Sequence, residues 1–366
     1  GEDSMKKYKI CVYAICKNEE KNLKGWLENV QEADKIFVLD TGSTDSSIEI
    51  LKQAKENVVF QTKKYQPFRF DEARNDSLNM VDEDCDICVC CDIDERFIKN
   101  WRKIIEKNWT ADTKLLSYRY TWNFNSDGSE GTVFFISKIH SRHDFKWVHP
   151  VHEVLQYLKK EPYKTIQLPE LKLFHYADNL KSRSSYLPLL ELSVQEDPED
   201  DRNMHYLGRE YMFHKKYDEA INTLNRHLTL KSATWKDERA ASYRFIGRCQ
   251  LAKNNFNEAK ISYLKAICEA PYLREAYIEL AYLLYEQKEY YGVIYWIEEA
   301  LKIQDHSLTY INEAFAWNAT PYDLLSLAYY FTHQKEKALE YVKKALQLSP
   351  DNERIQKNKE IFEKMA

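Results

Sequence analysis

The chain has 366 residues, which suits about two domains, and its 53 Lys+Arg against 58 Asp+Glu leave a formal charge of −5. That balance removes the electrostatic case for a nucleic-acid partner, which needs a basic face. Only 8 glycines beside 26 tyrosines argue against a large all-β protein or a glycine-looped nucleotide binder, since about 7% glycine is usual. The expectation is mostly packed helix plus one compact domain in which a few glycines do specific work.

Gly1 to Ser4, ahead of Met5, read as a remnant of cloning and are set aside. From Lys9 to about Leu173, short apolar runs alternate with helical spacing. Ile10–Ile15 reads as a buried strand, and Leu23, Trp26, Leu27 and Val30 form one helix face. Ile36–Leu39, Val58–Phe60 and Asp86–Cys91 are further strands, with helices over Ser46–Ala54 and Glu72–Val81 between them. Leu115–Trp122 and Thr132–Ile139 are also strand candidates. The alternation predicts a mainly parallel sheet covered on both faces.

Cys85, Cys88, Cys90 and Cys91 crowd the fourth strand. A structural zinc needs a second ligand pair, and Cys249 and Cys268 stand alone, so these thiols read as small apolar core residues. With no secretory core and no apolar run near the 18 residues of a bilayer span, no disulfides are expected. The cytoplasm is the expected location, with a peripheral position at the inner membrane face as its variant.

Asp178–Arg202 reads as a charged helical connector. From Asn203 the pattern is helical and repeats. Small residues at Ala220, Ala259, Val293 and Ala338 are spaced 39, 34 and 45, a 34-residue unit with two insertions. Gly208 and Gly247 fall where paired helices approach, and Pro271 and Pro350 end units. This resembles the tetratricopeptide repeat, which buries its core only by stacking. Its surface could hold a partner or acceptor or join two copies into a homodimer.

Three polar clusters follow predicted strands of the first half, where open α/β sheets bind ligands. They are Cys16-Lys-Asn-Glu-Glu20, Asp40-Thr-Gly-Ser-Thr-Asp45 and Cys91-Asp-Ile-Asp-Glu-Arg96. Gly42 permits a tight turn after Asp40. Asp92 and Asp94, two apart on extended chain, offer hard oxygen ligands suited to Mn²⁺ or Mg²⁺. Trp147-Val-His149-Pro-Val-His152-Glu153 adds two imidazoles and a carboxylate beside an aromatic suited to stacking on a sugar. His175 is a further candidate nearby, and the Asn125–Gly131 loop could border an acceptor.

With Phe70-Asp-Glu-Ala-Arg-Asn75, these segments run in the order of the family 2 glycosyltransferases, which the chain resembles over residues 8–176. The resemblance implies a GT-A fold, Rossmann-like and nucleotide-sugar-binding, over 5–177, a connector over 178–202 and an all-α tetratricopeptide solenoid over 203–366. It implies metal-dependent, inverting transfer from a nucleotide sugar, a UDP-hexose or UDP-HexNAc donor, to a peptide, protein or glycan. A bacterial subgroup with attached repeats, including enzymes that glycosylate sublancin-type peptides, is similar. By the same resemblance Glu19 and Asp40 line the nucleoside pocket, with Thr41 replacing a second Asp of many relatives. Arg74 lies near the diphosphate, Asp94 is the principal metal ligand and Asp92 sits near the metal or donor sugar. Glu153 is the base for the acceptor and His152 a metal or diphosphate contact, with those two roles interchangeable. Weighed against this, a nucleotidyltransferase lacks its glycine-rich loop here, since Lys17-Asn-Glu-Glu stands in its place. A non-enzymatic adaptor would have let Asp40, Asp92, Asp94 and Glu153 decay. A lipid-linked or cell-surface saccharide remains the alternative acceptor.

Overall fold

The computed structural model describes residues 8–178 and 186–366. The expected cloning remnant at 1–4 and residues 179–185 of the expected connector lie outside that range. The chain forms two compact units that divide near residue 193.

The first unit is built on one eight-stranded sheet. Its strands are β1 (Ile10–Cys16), β2 (Lys35–Asp40), β3 (Val58–Thr62), β4 (Ile87–Cys90), β5 (Glu95–Phe97), β6 (Thr113–Thr121), β7 (Val133–Ser141) and β10 (Lys164–His175), in the order β3-β2-β1-β4-β7-β6-β10-β5. The first four strands are parallel. β7 then runs antiparallel to both β4 and β6. A separate hairpin pairs β8 (Phe145–Val148) with β9 (Val154–Tyr157). Helices α1 (Glu20–Val30), α2 (Ser47–Lys52), α3 (Phe70–Asn79) and α4 (Trp101–Asn108) cross between strands. Because β1 and β4 are covered on both faces, they are continuous apolar runs rather than alternating ones; every residue of Ile87–Cys90 is buried. Trp26, Trp101 and Leu23 fill one face of the sheet with Val12, Val38 and Val89. Tyr13, Phe37, Trp147 and the buried thiols Cys11, Cys85, Cys88 and Cys90 fill the other. The cysteines therefore act as packing atoms, all of them free.

The sequence pattern located the four parallel strands and their helices. It missed α4, β5, the β8–β9 hairpin and β10, whose residues alternate too irregularly to read. The expected connector is also structured: α5 spans Tyr186–Glu196 and the next helix begins at Asp201.

The second unit is four antiparallel helix pairs and a closing helix. The pairs are α6 (Asp201–Phe213) with α7 (Tyr217–Thr229), α8 (Lys236–Ala252) with α9 (Phe256–Glu269), α10 (Glu275–Glu286) with α11 (Tyr290–Leu301), and α12 (Thr320–Phe331) with α13 (Lys335–Leu348). The last is α14 (Glu353–Glu363). Ala220, Ala259, Val293 and Ala338 are all fully buried at the crossings. A Cβ on Gly208 would lie 2.5 Å from the Leu224 side chain, and one on Gly247 would lie 2.7 Å from the Tyr263 ring. No helix among the described residues is long and apolar enough to cross a membrane.

Gly208→Val places a branched side chain against the buried Leu224. Overpacking of this kind costs about 2 kcal/mol. Denaturant unfolding followed by helical circular dichroism should show that loss; unchanged stability would mean the helices do not meet as closely as described.

Candidate functional site

The loops after β1 and β2 lock each other through reciprocal side-chain bonds. Asn18 donates its backbone N–H to Ser43 Oγ at 2.8 Å, and its Oδ1 accepts from the Thr44 N–H at 2.8 Å. Glu19 N–H donates to Ser47 Oγ, and Ser46 N–H to a Glu20 carboxylate oxygen. Asn18 takes a left-handed backbone, φ 54°, to make this fit, a conformation asparagine tolerates better than most residues. Glu19 sits half-buried at the start of α1. Asp40 was expected to line a nucleoside pocket, but it is fully buried. Its Oδ1 accepts from the Gly42 and Ser43 N–H groups at 2.9 and 2.8 Å, and its Oδ2 from the Ser43 hydroxyl at 2.5 Å. Asp40 thus shapes the loop, and Gly42, at φ 122°, supplies the turn.

The centre of charge lies beyond β4. Arg74, on α3, is only 3% exposed. Its Nη1 donates to Asp92 Oδ1 at 2.6 Å and its Nε to Glu153 Oε1 at 3.1 Å, while the guanidinium lies over the Trp147 ring. A buried guanidinium needs such neutralisation, because an unpaired charge out of water is very costly. This arginine, expected near the diphosphate, bonds two carboxylates and holds them in place. Asn75, next to it, clamps the β8 backbone by bonding both the N–H and the carbonyl of Trp147.

Asp94 turns the other way. Its Oδ2 lies 3.0 Å from Nε2 of His175, at the end of β10, and its backbone carbonyl accepts from the Tyr176 N–H. The second ring nitrogen of His175 bonds the Trp122 carbonyl at 2.8 Å, which fixes the imidazole. Glu95, itself buried, accepts the Asp92 N–H at 2.8 Å. Lys138, on β7, faces the same acidic group. Although burial opposes its charge, Asp92 and Glu95 raise its pKa.

The ionisation of the cluster follows from this crowding. Burial works against the Asp92 charge, yet Arg74 and Lys138 hold its carboxyl below the usual carboxylate range. Burial, followed by the charge of Asp92, pushes Glu95 up to about 7. Burial opposes protonation of His175, but the Asp94 bond and charge outweigh it and raise the imidazole to about 9. Asp92, Asp94, Glu95 and Glu153 thus gather around three cationic groups, Arg74, Lys138 and the raised His175. Hard oxygen donors grouped in this way suit a divalent cation.

Not all predicted residues converge. Asp92, Asp94 and His152, expected to share a metal, are not brought together as one ligand group among the described residues. His149 and His152 both take left-handed backbone, φ 81° and 50°, and the His152 ring stacks on Tyr186. That path delivers Glu153, not His152, to Arg74. Trp147 is corrected as well: at 2% exposure it is a buried platform whose indole N–H donates to the Tyr13 hydroxyl. The exposed aromatics beside the site are Trp122 (43%), stacked on His175, and Tyr176 (50%), stacked on Phe124. Lys138, Glu95 and Trp122 went unread in the sequence. The one signal was a lysine, next to Ser137, inside the mostly apolar run Val133–Ile139.

Comparison with known proteins agrees with this architecture. Residues 11–164 match the family model described as glycosyl transferase family 2, and residues 275–366 match that of the prolyl 4-hydroxylase peptide-substrate-binding domain. No curated protein matches the chain. Similar solved structures include MamA, 19% identical over 49% of this chain and 99% of that one, with a TM-score of 0.38. Another concerns pilF of Pseudomonas aeruginosa, 18% identical over 46% and 70%, with a TM-score of 0.38. A third is the C-terminal part of a TPR repeat-containing protein from Cytophaga hutchinsonii, 16% identical over 49% and 64%, with a TM-score of 0.41. The matched segments and the sheet they form identify a glycosyl transferase family 2 domain with a GT-A-like mixed sheet within residues 11–164, and a tetratricopeptide-type helical region within residues 275–366.

Proposed function

We propose that the chain is a metal-dependent, inverting glycosyltransferase that moves a sugar, a hexose or N-acetylhexosamine, from a UDP-linked donor to a peptide or protein. The observation that carries this reading is the meeting of Asp92, Asp94, Glu153, Arg74 and His175 at the carboxyl end of β4 within a family 2 domain. Asp94 and His175 are the residues that would hold Mn²⁺ or Mg²⁺, with Asp92 beside them. The cation would supply neutralisation of charge developing on the nucleoside diphosphate. The protein's own groups do the rest. Lys138 adds fixed positive potential to the same pocket, where water exclusion strengthens it. Arg74 is a positioning residue that keeps Asp92 ionised and holds Glu153 in line. Glu153 accepts the proton of the acceptor hydroxyl or thiol as it attacks the anomeric carbon. Glu19 and the Asp40-shaped loop border the nucleoside, and Trp122 and Tyr176 offer aromatic faces to a sugar. The match of residues 275–366 to a peptide-substrate-binding model favours a peptide acceptor held by the repeats.

Three substitutions separate these roles. Asp94→Asn should slow transfer about a thousandfold, some 4 kcal/mol of barrier, with nucleotide release from a donor panel read by mass spectrometry. EDTA should abolish that release and Mn²⁺ or Mg²⁺ restore it; full turnover in Asp94→Asn removes the metal assignment. His175→Ala should raise the metal concentration needed for half-activity about 10- to 100-fold, with much of the rate returning at saturating metal. Arg74→Met strands two half-buried carboxylates and should lower stability by about 3 kcal/mol, measured by denaturant unfolding. An unchanged midpoint would show that the pair carries no structural load.

A further inference from the structure

The connection between α11 and α12 is far longer than stacking requires. Residues 270–274 suffice to join α9 to α10, whereas residues 302–319 separate α11 from α12, with one short turn of 3₁₀ helix at Ala314–Ala316. Loops of this length without structure of their own usually have a function. Here the loop lies along the first helices of three successive pairs, α6, α8 and α10, and its contacts are those of a bound peptide.

Tyr310 donates its hydroxyl to Glu238 at 2.5 Å, stacks on Tyr206 with ring centres 5.7 Å apart, and meets Trp235 edge-on. Ile311 is buried among Met212, Ala241, Phe245 and Ile246. The Ile311 carbonyl accepts from Arg244, and the Glu313 N–H donates to Glu275 at 3.2 Å. The Glu313 carboxylate is shared between Arg244 and Arg248, each at 2.5 Å, and Glu279 steadies both arginines from behind. Two side-chain pockets, a carboxylate clamp and two backbone bonds thus read one extended segment.

The ends of the loop are fastened separately. Arg274 donates to the carbonyls of Ile303 and Ala316 and lies 3.7 Å from the Trp317 ring centre. Residues between these anchors can leave the groove while the ends stay tied. Burial is also uneven: Leu308 and Ala314 are exposed on either side of the buried Ile311 and Asn312. The crossings of the later pairs close at Ala259, Val293 and Ala338, while Tyr310 packs against the cluster of Met212, Ala241 and Phe245 and Glu313 meets the buried Arg244.

We propose that residues 309–313 are a built-in occupant of a peptide groove on α6, α8 and α10. In their place the groove takes a partner segment with a tyrosine, an aliphatic residue directly after it, and a carboxylate two positions further on. This reading concerns the repeat unit alone and stands whether or not the first unit transfers sugar. A tethered segment competes at an effective concentration on the order of millimolar, so the loop withholds the groove from weak partners and yields to those that match it.

The test titrates a fluorescent peptide of residues 307–315 against the full chain and against the double variant Tyr310→Ala, Glu313→Ala. The variant should bind at least about tenfold more tightly, because its own loop no longer competes. A peptide with its tyrosine changed to alanine and its glutamate to glutamine should lose most of that affinity. Equal binding to both chains, or none to either, overturns the proposal. Hydrogen exchange on the unmodified chain covers a variant that fails to fold: excess peptide should speed exchange of residues 307–313 while α8 stays protected. Exchange of the loop only with global unfolding, unmoved by peptide, would make it a fixed part of the core. A dimer of the unmodified chain that falls apart in the double variant would assign the groove to a second copy and equally overturn the proposal.

Discussion

A guanidinium cannot leave water alone, and the candidate site is organised around that constraint. Arg74 is buried on α3, and its two ion-pair partners come from different parts of the first unit: Asp92 from the end of β4 and Glu153 from the turn between β8 and β9. Remove Arg74 and both carboxylates lose their counter-charge, a cost of several kcal/mol. The pairs therefore tie helix, sheet and hairpin together at one point. That point is also where the sheet ends, so the bond that secures the fold places the carboxylates at the mouth of the sheet.

The same economy of charge explains the neighbours. Four carboxylates cannot share a small volume without response. The response is visible as a raised Glu95, a raised His175 and the cation Lys138 drawn against Asp92. Asp94 and Asp92, adjacent in the sequence pattern, take opposite tasks because their partners differ: His175 for one and Arg74 for the other. The second unit repeats the logic in another form. There two arginines, braced by Glu279, meet a carboxylate supplied by the chain's own loop.

Much of the local chemistry could be read from residue order. Asp40 followed by Gly42 and Ser43 is a turn whatever surrounds it, since its bonds reach only two or three residues along the chain. The repeat was legible because small residues recur wherever helices cross closely, and Gly208 and Gly247 fell at those crossings. Trp147 was misread because its neighbours His149, His152 and Glu153 suggested an open site. The ring is instead enclosed by Tyr13 and Arg74, both distant in sequence. His175 and Lys138 stayed weak signals for the same reason, as their partners lie 81 residues away at Asp94 or across the sheet at Asp92. The loop between α11 and α12 showed in the sequence only as an insertion, without its destination.

By itself, then, the sequence determined the two-part plan, the parallel strands, the turn at Gly42 and the acidic pair at the end of the fourth strand. Each is set by short-range stereochemistry or by a periodicity that one element carries alone. Only the tertiary structure decided which carboxylate meets Arg74 and which meets His175, that His152 turns away, and that a loop fills the repeat groove. Those outcomes depend on burial and on charges brought together from distant positions, where the penalty for an unpaired group selects the partner.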